Sequence, residues 1–129
     1  MVEFKTPREL ALAVVEAALV KNALEPVLLD VAKDCSYADY ILVLSGRNTR
    51  QVEAIAEAIQ KGMKERGYDP LSREGDRRGQ WVLLDFNEVV VHIFYHPMRE
   101  YYDLEGLWSE AKRVELDVPP ELRHAAIYA

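Results

Sequence analysis

The stretch "WVLLDFNEVVVHIF", residues 81–94, sets two strand-forming runs on either side of a turn at Asn87-Glu88. It reads as a hairpin spanning 81–86 and 89–95. Trp81, Leu83 and Asp85 share one face of the first run, and Val82, Leu84 and Phe86 share the other. On the returning run, Val90, His92 and Phe94 oppose Val89, Val91, Ile93 and Tyr95. Asp85 and His92 stand where an ordinary core hairpin would carry Leu, Val or Ile. They are candidates for catalytic groups, metal ligands or parts of a surface that meets another protein.

The chain around the hairpin supplies the other elements. "TPRE" is a capping box, with Thr6 as N-cap, Pro7 at the first helical position and Glu9 reaching back. The helix it opens runs to about Asn22 and is apolar on more than one face. Such a helix is either deeply buried or partly covered by a second chain. "EPVLLDVA" (25–32) and "DYILVLSG" (39–46) read as strands, the second a continuous apolar run expected of a central strand. "NTRQ" (48–51) opens a second helix to Arg66, with Val52, Ile55, Ala56, Ile59 and Met63 on one stripe, and Gly67 ends it.

Residues 68–80 form a loop with a short edge strand near Leu71–Arg73. A last helical segment starts at Pro97 and bends near Gly106. The order αββα(β)ββα implies a parallel crossover and an antiparallel final hairpin, hence a single compact α/β domain with a mixed β-sheet flanked by helices. Residues 1–114 make up that domain, and 115–129, with Pro119-Pro120, form an irregular tail.

Composition narrows the class. Half of the 129 residues are hydrophobic and 29% are charged, as in a globular protein of one domain. The single cysteine, Cys35, excludes an intrachain disulfide and a Cys-rich zinc site, and fits a reducing, cytoplasmic setting. "ELALAVVEAALV" imitates a signal peptide, but Glu9 and Glu16 interrupt it. No stretch approaches the ~20 apolar residues of a membrane span, so the expectation is a soluble protein. Charge is uneven. Residues 1–84 carry twelve Lys+Arg against thirteen Asp+Glu, whereas 85–121 carry three basic residues against nine acidic ones. An acidic half argues against a general phosphate-binding surface and fits a basic partner.

Asp85 and His92 on paired strands could act as an acid–base pair or bind a metal. A zinc site needs about three protein ligands, and His96 and His124 supply no recognisable spacing. A structural histidine hydrogen-bonded to a neighbour is the preferred reading. "LSGRNTRQ", with Ser45-Gly46 ahead of a helix N-terminus, resembles a phosphate-binding turn and the start of a nucleotidyltransferase. That chemistry needs paired carboxylates for magnesium. The strand offers Asp85 alone, and Glu88 lies in the turn. The plainer reading is a tight strand-to-helix turn that needs glycine.

"ADYILVLSG" with "QVEAIAEAI", then "EG" before "WVLLDF", "VVVHIF" and "YYDLEGLW", resemble in this order the ribosomal silencing factors, also called the Iojap or oligomerisation-domain family. The resemblance implies a non-enzymatic factor of nucleotidyltransferase-like fold, with no cofactor and no metal. It implies binding to the large ribosomal subunit through its protein fourteen, on the face that meets the small subunit. Occupying that site blocks subunit joining and lowers translation when nutrients are short; organellar relatives assist large-subunit assembly. A homodimer in the free protein is expected from helix 7–22, apolar beyond one stripe, and from the aromatic C-terminal segment. The family name also points to oligomerisation. No membrane or sequence-specific nucleic-acid partner is expected.

The residues carried over as candidates for partner binding are Trp81, Asp85, His92, Arg99, Tyr102, Leu104, Glu105, Leu107 and Trp108. Trp81 and Trp108 read equally as core or interface, and Arg99 is expected to pair with Asp85 or Asp103. The alternative function is a nucleotidyltransferase or nucleotide-binding protein using Ser45-Gly46 and Asp85.

Overall fold

The structure is a computed structural model that describes residues 4–123. Both capping sequences work as the spacing predicts. The Thr6 hydroxyl accepts the Glu9 N–H (3.1 Å), and the Glu9 carboxylate accepts the Lys5 N–H (2.8 Å), which starts α1, Pro7–Leu19. Asn48 accepts the Gln51 N–H (2.8 Å) at the start of α2, Thr49–Lys64. The Gln51 amide also donates to the Lys21 and Asn22 carbonyls (3.0 and 3.2 Å), tying the end of one helix to the start of the other. α1 stops short of Asn22 because Asn22, at φ 55°, turns the chain into β1, Leu24–Asp30.

The remaining elements are β2, Tyr40–Gly46; β3, Ser72–Gly75; β4, Trp81–Asp85; β5, Val89–Tyr95; α3, His96–Tyr102; α4, Leu104–Leu107; β6, Lys112–Val114; and α5, Pro120–Arg123. Six strands form one mixed sheet in the order β3-β4-β5-β2-β1-β6. β2 and β5 are parallel, joined through α2, whereas β4 and β5 form the antiparallel hairpin. The sequence places this crossover and this hairpin correctly. β2 is buried along its whole length, as its unbroken apolar run requires.

The two faces of the sheet are covered unequally. On one, Leu28, Leu42, Leu44, Val82, Leu84, Val91 and Ile93 pack against α1 and α2. The apolar girth of α1 is thereby accounted for within its own chain, and Val20, just past the helix end, is left exposed. On the other face, Leu29, Val31, Ile41, Val43 and Phe94 meet Leu104, Trp108 and Ala111. That shorter cover leaves the β3–β4 side of this face less covered.

Three details depart from expectation. The bend in the last helical segment falls at Asp103, not Gly106: Asp103 adopts φ 45°, ends α3, and accepts the Gly106 N–H (3.1 Å) to begin α4. Gly106 serves that cap, since a Cβ there would collide with the Asp103 carboxylate. β6, two-thirds charged, extends the sheet by pairing with β1. Within the segment read as tail, 115–119 is irregular, but Val118 and Leu122 are buried against Leu24. Residues 124–129, with His124, lie outside the described residues. Among the described residues, no helix is long and apolar enough to cross a membrane.

Candidate functional site

The hairpin register builds the site. Leu83 pairs with His92 and Trp81 with Phe94, so all four side chains project from the same face. The Trp81 indole N–H donates to His92 Nδ1 (3.2 Å), and the two rings stack with centroids 6.1 Å apart. Phe94 stacks on His92 at 6.2 Å, and Tyr102 of α3 closes the row against Phe94 at 5.5 Å and Trp81 at 6.4 Å. With Leu104, these four rings line a shallow pocket of about 170 Å³.

His92 is only 8% exposed, and burial pushes its imidazole down to about 4. It is therefore neutral at pH 7, with Nδ1 free to accept. Tyr102 remains 49% exposed, and Tyr101, edge-on to it at 5.3 Å, is 72% exposed. Exposed aromatic rings on a helix packed against the sheet supply contact area at small entropic cost, as interface anchors do.

The other candidates divide. Asp85 shares the face but is engaged by the hairpin turn, where its carboxylate accepts the Asn87 N–H (2.7 Å). Arg99 pairs with neither Asp85 nor Asp103, correcting the expectation. It is buried beneath α3, donating from Nε to Glu105 (2.7 Å) and from Nη1 to the Ser45 hydroxyl (3.1 Å) and the Leu24 carbonyl (3.4 Å). A guanidinium so placed is held by three acceptors from separate elements, which joins α3 and α4 to the sheet. Glu105 also faces Arg113 at 3.8 Å, so its main partners are within the chain. Trp108 is partly buried against the second core cluster, whereas Leu107 is 72% exposed beside it. The structure thus brings Trp81, His92, Tyr102 and Leu104 into one surface, and leaves Arg99, Glu105 and Trp108 holding α3–α4 in place.

Ser45 and Asp85 do not form one site. Ser45 pairs with Phe94 and Asp85 with Val90, at opposite ends of β5. Four residues of strand separate those levels by roughly 13 Å, and the Ser45 hydroxyl is occupied by Arg99. Gly46 has a packing role: a Cβ there would lie 2.8 Å from the Val52 nitrogen at the start of α2. Among the described residues, no three His, Cys, Asp or Glu side chains gather as metal ligands.

Sequence reasoning missed Phe94 as a wall of the pocket, although alternation had placed it on the His92 face. It missed Ser45 as a partner of Arg99, because nothing local marks a contact across 54 positions.

The sheet is thus closed on one face by α1 and α2 and carries the aromatic row of the β4–β5 hairpin and α3 on the other. Comparison with known proteins gives the family. Residues 4–128 match the model of the ribosomal silencing factor during starvation, and the chain belongs to that family. It is 38% identical over 110 residues to ribosomal silencing factor RsfS of Halalkalibacterium halodurans, covering 85% of this chain and 94% of that one. A solved structure from Chromobacterium violaceum superposes with a TM-score of 0.78 at 32% identity, covering 92% of this chain and 98% of that chain. A more distant relative, the mouse protein named mitochondrial assembly of ribosomal large subunit protein 1, is 30% identical over 92 residues, covering 69% of this chain and 40% of that one.

Proposed function

We propose that this chain is a non-enzymatic factor that binds the large ribosomal subunit through its protein fourteen and blocks joining with the small subunit, lowering translation when nutrients are short. A contribution to large-subunit assembly is part of the same reading, supported by the name of the mouse relative. The observation that carries it is the aromatic row of Trp81, His92, Phe94 and Tyr102, fixed by ring contacts, in which Tyr102 stays half exposed and Trp81 partly exposed over the buried His92 and Phe94. Aromatic anchors of this kind contribute affinity once a partner excludes water from them.

The flanking segment is acidic, with nine Asp and Glu against three basic residues over 85–121. Such a field favours a basic partner and raises its rate of encounter. Asp103 and Glu105 bracket Leu104 of the pocket, so the charge lies close to the anchors.

The test is sedimentation with purified large subunits, followed by light scattering as small subunits are added with and without the factor. Co-sedimentation with reduced joining is expected. Joining that proceeds at its full rate on saturated large subunits would remove the proposed mechanism. Nucleotidyl transfer lost on Asp85→Ala would restore the enzymatic alternative.

A further inference from the structure

Three arginines stand at the wrong end of a helix. A helix N-terminus carries about half a positive charge, so it favours carboxylates and disfavours cations. The first turn of α2 has no acidic residue and contains Arg50. The loop between β3 and β4 folds onto the same helix end: a Cβ on Gly79 (φ 71°) would stand 3.5 Å from the Thr49 Cβ. That loop turns through a Gly79 N–H donated to the Asp76 carbonyl (3.3 Å) and carries Arg77 and Arg78.

Arg50, Arg77 and Arg78 are exposed, and among the described residues none forms an ion pair. Two nearby acids have partners of their own. Glu53 holds Arg73 at 2.6 Å, and the Asp76 carboxylate accepts the Gln80 N–H (2.7 Å). A chain of net charge −6 therefore concentrates positive charge where its own electrostatics oppose it. Exposed cations that form no ion pair within the fold point to a role outside it.

The position of this corner indicates its use. The Gln80 carbonyl accepts the Tyr95 N–H (2.8 Å), and Trp81, a wall of the aromatic pocket, comes next in the chain. A basic protein docked on the aromatic row would be repelled by these arginines. RNA surrounding such a protein would be attracted. Guanidinium groups match phosphate oxygens with paired N–H donors, and need no base sequence to do so.

We propose that Arg50, Arg77 and Arg78 grip RNA phosphates of the large subunit beside the aromatic docking row. The subunit is then held at two chemically different points, a basic protein and the RNA next to it. This rests on the reading of the chain as a large-subunit factor.

The test compares wild type with Arg50→Gln/Arg77→Gln/Arg78→Gln, binding purified large subunits from about 50 to 200 mM salt and, separately, isolated ribosomal protein fourteen. Neutralising three phosphate contacts lowers the slope of log affinity against log salt by about 2. The triple variant should bind subunits at least tenfold more weakly at low salt, with that smaller slope, and bind the isolated protein undiminished. The triple Lys variant should recover most of the slope, because charge is kept. Unchanged subunit affinity and slope would overturn the inference while leaving the docking function intact. Equal loss on the isolated protein would assign the arginines to an acidic protein surface and also overturn it. Wild type that binds neither target would overturn the docking function and this inference with it.

Discussion

Acidification should weaken the fold through one side chain, His92. Its folded value of about 4 lies below the ordinary imidazole value near 6.5 because burial disfavours the cation. The hydrogen bond adds to this in the same direction, since Nδ1 accepts the Trp81 indole N–H and loses that capacity on protonation. Between those two values the unfolded chain binds a proton that the folded chain refuses, so stability falls with pH. The contribution is fully present above about pH 6.5 and lost as pH falls towards 4. Each unit of difference is worth about 1.4 kcal/mol, giving about 3 kcal/mol in total and about 2 kcal/mol by pH 5. Urea unfolding at pH 7.5 and 5.0 measures it. With a slope of roughly 1 to 2 kcal/mol/M, the midpoint should drop by about 1 to 2 M. His92→Asn keeps an acceptor for Trp81 but cannot titrate, so it should remove most of that drop, whatever its stability at pH 7.5. A variant that loses as much stability as wild type between the two pH values would refute the reasoning.

Arg99→Leu should cost about 3 kcal/mol in urea unfolding, because it leaves Glu105 without the buried guanidinium that faces it; a loss below 1 kcal/mol would show that the pair does not hold α3–α4 to the sheet. Gly46→Ala should cost about 1 to 3 kcal/mol by pressing a methyl group against the Val52 nitrogen, and an unchanged melting temperature would contradict that close approach. The exposed rings of Tyr101 and Tyr102 should also allow the free chain to self-associate. Light scattering across micromolar concentrations reads this, and a strict monomer throughout would remove the claim.

What the sequence discloses here is what alternation and capping encode. The hairpin faces, the two helix starts and the central strand follow from local periodicity. Trp81, His92 and Phe94 fall on one face by counting alone. Long-range pairings have no such signal: Arg99 meets Ser45 and Leu24 across 54 and 75 positions. The bend at Asp103 escaped because glycine is the usual left-handed residue, and Gly106 stood three positions away. β6 escaped because two of its three residues are charged, and only its pairing with β1 makes it a strand. The arginine corner has no local signal either, because Arg50 lies on a helix and Arg77 and Arg78 on a loop, and only the approach of Gly79 to Thr49 joins them.

The proposed docking of the aromatic row on large-subunit ribosomal protein fourteen turns on Tyr102, its most exposed ring. Binding kinetics of the isolated protein to wild type, Tyr102→Ala and the exposed Glu100→Ala, at two salt concentrations, test it most directly. Tyr102 is half exposed and outside the core clusters, so its removal tests the surface without unfolding the domain. Truncating a central anchor costs ~2 kcal/mol or more, about thirtyfold in affinity. Tyr102→Ala should therefore bind about thirtyfold more weakly through faster dissociation. Glu100→Ala should lose less, and added salt should slow association of all three. Unchanged affinity for Tyr102→Ala, with association indifferent to salt, would place the interface elsewhere on the domain.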